Sequence, residues 1–184
     1  MQSMNKDMID HPNPERHKIM MLYILFAAGL FGSFIPAVWP AIISLIVLIL
    51  VLGAAYSMRH GKDDDSLLGN HATFLISTIW KGSTLAAITL AIGGVYLLQY
   101  IDQSPLTPCL DKIMEGAAAP GDMAGLKILF APCFDVYYQK NSSVFIVSGL
   151  MAMGPPLAYF LIRLARGAER AMKGYRIAHP RAWF

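Results

Sequence analysis

Two groups of side chains in this sequence have types and spacings that do chemistry. The first is Cys109 and Cys133, the only cysteines. Two thiols can close a structural disulfide or cycle as a redox couple. The second is a polar series, His71, Thr73, Ser77, Lys81 and Thr84, leading into a long apolar run. Thr73, Ser77, Lys81 and Thr84 follow at spacings of four, four and three, which on a helix places them in one stripe. A lysine carried into a bilayer on such a stripe needs a partner or a pathway. A lysine at the boundary would instead snorkel to headgroups beside Trp80.

Other chemistry is weaker in pattern. His60 with Asp63, Asp64 and Asp65 in "HGKDDD" has acidic residues, but consecutive aspartates share no face, so a solvated loop is expected. No histidine has an i,i+4 histidine partner for zinc. Neither a phosphate-binding glycine loop nor a nucleophile elbow is present. No metal, no cofactor and no nucleic-acid partner is expected.

The elements that position these residues follow from charge. The chain is 55% hydrophobic and 15% charged, against roughly 25% charged in soluble domains. Residues 19–56, 82–101 and 141–162 contain no charged side chain. A span needs about 20 such residues. The first run is too long for one span, and "SFIPAVWP" interrupts it with Pro36 and Pro40. Four transmembrane helices are therefore expected, at 18–34, 38–56, 82–100 and 142–162. They follow a tail over 1–17, surround a loop over 101–141, and precede a basic tail over 163–184. Mixed charges in the first 18 residues do not form the basic region of a signal peptide.

Four spans put both ends on one side, where 12 of the 15 basic residues fall. The 101–141 loop has only Lys112, Lys127 and Lys140, so the positive-inside rule places it outside and both termini in the cytoplasm. In a bacterial inner membrane the cysteines would then face an oxidising periplasm and pair as a disulfide closing an outer cap. Such a topology resembles the quinone-linked disulfide-generating oxidase. That enzyme's second pair, a CxxC in the first outer loop, has no counterpart in "SFIPAVWP".

Two features concern the last span. Pro155 and Pro156 remove amide donors near its middle and predict a kink. Beyond it, Arg163, Arg166, Arg170 and Lys173 fall within about 80° on a helical wheel, forming an amphipathic face for anionic inner-leaflet lipid. The segment before Gly82 is open to two readings, an interfacial helix that bends into the membrane or one continuous helix.

His71, Phe74, Thr78 and Trp80 form one patch, and Arg163, Arg166, Gly167, Gly174, Pro180 and Trp183 form a second. Together they resemble the Tic-twenty-like family of small bacterial membrane proteins, related to a subunit of the chloroplast import translocon. That resemblance implies a translocation component or small transporter. Composition and topology alone point to an all-α, non-catalytic accessory, assembly or scaffold subunit, contacting other membrane proteins.

Overall fold

A computed structural model describes residues 14–33, 35, 37–61, 66–115 and 123–183. Among these residues all regular structure is helical. The helices are α1 (Pro14–Gly32), α2 (Val38–Arg59), α3 (Leu67–Tyr100), α4 (Thr107–Met114), α5 (Met123–Lys140) and α6 (Ser142–Met172). A 3-10 turn over Ser104–Leu106 precedes α4. Three helices, α2, α3 and α6, are long and apolar enough to cross a membrane.

The chain divides into two units, one of Met1–Thr84 with Leu157–Phe184, the other Leu85–Pro156. In the first, α1 buries Ile19, Leu22, Tyr23, Phe26 and Leu30, the i, i+3, i+4, i+7 stripe of a helix packed on one side. The first four meet Val51 and Ala55 of α2, Leu68, Ala72 and Leu75 of α3, and Ala171 of α6. Ile24, Phe31, Trp39, Ile43 and Leu50 remain exposed. Apolar surface on both faces is the mark of helices solvated by lipid. Close approach of α1 to α2 depends on glycine. A Cβ on Gly29 would sit 3.1 Å from Leu48, and one on Gly32 would sit 2.4 Å from Ser44 Oγ.

Two helices extend beyond the charge-free runs. α3 begins at Leu67 rather than near 82, and α6 continues to Met172 rather than stopping at 162. α3 runs as one helix from Leu67 through its apolar half to Tyr100. α1 begins at Pro14, because the first helical turn needs no amide donor and the proline ring already has a helical φ. α6 ends in a Schellman turn. Gly174 has φ +69°, its N–H donates to Ala171 O at 3.1 Å, and Tyr175 N–H donates to Arg170 O at 2.9 Å.

The second unit holds the end of α3, the 3-10 turn, α4, α5 and the start of α6. Gly93 lies against α6, where a Cβ would be 2.8 Å from Ser148 O. Ser148 Oγ donates to Gly93 O at 2.8 Å. Pro156 has no N–H for the carbonyl of Ala152, and Thr89 Oγ1 donates to that carbonyl at 2.7 Å instead. α5 has 18 residues. Pro120 and Gly121, in the loop between the two cysteines, lie outside the described residues.

Candidate functional site

The polar side chains of α3 and α6 converge on residues 174–183, a strap that the Schellman turn sends back along the first half of α3. Asn70 binds it as one backbone binds another. Its Nδ2 donates to Ile177 O at 3.0 Å, and its Oδ1 accepts from Ile177 N–H at 2.7 Å. Next along, His71 Nε2 lies 3.1 Å from Tyr175 O, and Nδ1 lies 3.0 Å from Tyr23 Oη. A carbonyl only accepts, so Nε2 carries the proton and, in the neutral ring, Nδ1 accepts from the tyrosine hydroxyl. Gly167 makes room for that tyrosine, because a Cβ there would be 2.4 Å from Tyr23 Oη.

Arg163 is the largest fully buried side chain of the molecule's described residues, 2% exposed. Its Nε donates to Thr78 Oγ1 at 3.0 Å, Nη1 to Ala182 O at 2.8 Å, and Nη2 to Pro180 O at 3.2 Å. Thr78 in turn donates to Phe74 O at 2.7 Å. These acceptors are neutral oxygens, and the guanidinium also stacks on the Phe74 ring. Burial of a charge is tolerable where its donors are satisfied and an aromatic face supplies negative potential. One turn further, Lys81 Nζ donates to Arg181 O and lies 5.1 Å over the Trp183 ring. Trp183 packs edge-on against Tyr159. From His71 to Lys81 the helix rises about 15 Å, and the strap turns at its far end, where Ala182 N–H donates to His179 O at 3.0 Å.

No family model, curated protein or solved structure matches this chain.

The polar stripe of α3 is divided among several contacts. His71 and Lys81 both reach the strap, Thr73 is buried, and Ser77 Oγ is buried without a hydrogen-bond partner among the described residues. Thr84 folds back onto Trp80 O at 3.0 Å. The basic face of the tail needs a correction. Arg166, Arg170 and Lys173 are exposed, whereas Arg163 points inward and is held by Thr78 and the strap. Asn70, Tyr23 and the inward direction of Arg163 are the features of this site that sequence reasoning missed. The signal available was the Asn-His pair, polar where an apolar helix begins.

Cys109 and Cys133 form a disulfide joining α4 to α5 across 24 positions. Cys109 is buried. Nearby, Asn141 fastens the end of α5 to the exit of α3, accepting from Asp102 N–H at 2.7 Å and donating to Asp102 O at 2.9 Å. Pro155 and Pro156 lie within α6, at the edge of the second unit. Residues 62–65, including the three aspartates beside His60, lie outside the described residues. Elsewhere among the described residues no group of three His, Cys, Asp or Glu side chains gathers as metal ligands would.

Proposed function

We propose that this chain is a non-catalytic integral membrane protein of a bacterial inner membrane, an accessory, assembly or scaffold subunit of a larger complex. In this reading α1, α2, α3 and α6 are four spans, with both ends cytoplasmic and the disulfide-closed cap outside. α1 spans about 28 Å at 1.5 Å per residue. Its charged residues Glu15, Arg16 and Lys18 gather at one end.

One observation carries the reading. Asn70, His71 and Lys81 of α3 and Arg163 of α6 are all engaged with the backbone of residues 174–183. Groups so engaged build a fixed cytoplasmic surface for a partner. The two sequence patches behind the Tic-twenty-like resemblance also meet here, through Arg163 with Phe74 and Thr78, and through Gly167 beside Tyr23 and its bond to His71. That convergence supports the resemblance.

The test is a mild-detergent pull-down of the tagged full chain from its native membrane, read by mass spectrometry. A stoichiometric complex is expected with wild type and is lost in Asn70→Ala/Arg163→Met. A lone monomer or homo-oligomer would overturn the subunit reading in favour of a translocation component centred on Lys81.

A further inference from the structure

A cleft of about 730 Å³ opens between the last turns of α6 and the strap. Its floor is Phe74 and the buried guanidinium of Arg163, and its walls carry Arg166, Arg170, Lys173 and His179. Four cations thus face one carboxylate, Glu169, and that carboxylate is paired with Lys173 at 2.6 Å. Arg170 places Nη1 on Arg176 O at 3.2 Å, while Arg166 extends into solvent. A guanidinium has five N–H donors in a planar fork suited to phosphate. Positive charge gathered in a concave site with a low-dielectric floor also concentrates anions.

We propose that this cleft binds the phosphate of an anionic phospholipid. The position favours a lipid over a soluble anion. The cleft lies where the apolar length of α6 gives way to its basic turns, and the exposed ring of Tyr175 lines it. Aromatic rings with basic residues at a span's end occupy headgroup depth. The phosphate sits between Arg166 and Arg170, above the fixed charge of Arg163. This rests on the reading of that end as cytoplasm-facing and adds a ligand to it.

The experiment is native mass spectrometry of the full chain released from nanodiscs of phosphatidylcholine doped with phosphatidic acid. Wild type retains phosphatidic acid in preference to phosphatidylcholine, and Arg166→Gln/Arg170→Gln lowers the retained fraction about tenfold. Lys127→Gln, an exposed basic change on α5, leaves retention unchanged. Equal retention of the two lipids, or equal loss in the Lys127 variant, overturns the proposal. Displacement by millimolar inorganic phosphate also overturns it, by assigning the site to a soluble anion. Both changed arginines are exposed, and an unchanged melting temperature verifies the fold. Lipid retention is read on the isolated chain, so its failure is separate from the failure to find partner subunits.

Discussion

The guanidinium carbon of Arg163 lies 3.8 Å from the centre of the Phe74 ring. The stack fixes the plane of the fork, and the fork in turn reaches Thr78 Oγ1, Pro180 O and Ala182 O. A lysine has the charge without the plane or the span. Arg163→Lys is expected to lose about 2 kcal/mol of stability, the scale of hydrogen bonds to a charged group. It should also free the strap, so that trypsin cuts after Arg176 and Arg181 faster than in wild type. Unchanged cleavage at both sites would count against the strap being held from Arg163.

Gly167 and Tyr23 make a second, coupled pair. Tyr23 is buried and its hydroxyl is committed to His71, so it cannot swing aside for a methyl group. Gly167→Ala is expected to destabilise by about 1–3 kcal/mol, the range for overpacking. A Cβ at Gly167 would also meet the ring carbons Cε1 and Cζ of Tyr23 at 2.6 and 2.7 Å, so only removal of the ring relieves the clash, and Tyr23→Ala in the Gly167→Ala background should do less harm than in wild type. A double-mutant thermal-melt cycle reads this, and strict additivity would refute it.

In the second unit, Thr89 and Ser148 both donate between α3 and α6, but to carbonyls in different circumstances. Ala152 O has lost its helical donor to Pro156, whereas Gly93 O has a residue with an N–H four positions on. Hydrogen bonds between membrane helices average about 0.6 kcal/mol with a maximum near 1.7. Thr89→Val is expected near the upper figure and Ser148→Ala near the lower. Equal effects in unfolding titrations would remove the special role of Thr89.

The disulfide closes a loop across 24 positions, so its removal in Cys109→Ser/Cys133→Ser should cost about 3 kcal/mol. In whole cells an alkylating reagent should label neither cysteine until a reductant is added. Labelling without reductant would exclude a stable bond, and quinone-dependent reoxidation would revive the redox reading.

Asp102 gives the pH dependence. Hydrogen bonds from Lys140 and Ser104 hold its carboxyl down at about 2, and Lys140 Nζ lies 2.7 Å from Oδ2. A carboxylate with a depressed folded value stabilises the fold above its unfolded value. That contribution disappears as pH falls through the folded one. The stability this contact lends should therefore be constant from neutral pH down to about 4 and fall away between there and about 2, while the ion pair itself persists in the folded state until about 2. In Lys140→Met the Asp102 titration, followed by carbon NMR, should move up toward the ordinary range.

The boundaries of α2 could be read from the sequence because nothing charged lies within most of it, and desolvation alone sets its length. The start of α3 could not. Asn70 and His71 look like surface residues until Ile177 and Tyr175 arrive from more than a hundred residues away, and no local pattern encodes that pairing. Arg163 was misplaced for a related reason. On the helical wheel it is the edge of the stripe shared with Arg166, Arg170 and Lys173, and only the strap decides that this edge faces inward. The cysteine pairing was legible because two cysteines leave one choice.

The same separation sets a clock. Ile177 follows Asn70 by 107 positions, which at about 5–20 residues per second amounts to roughly 5–20 s of synthesis. Throughout that interval the entrance of α3 exists while the backbone it will grip has yet to be made.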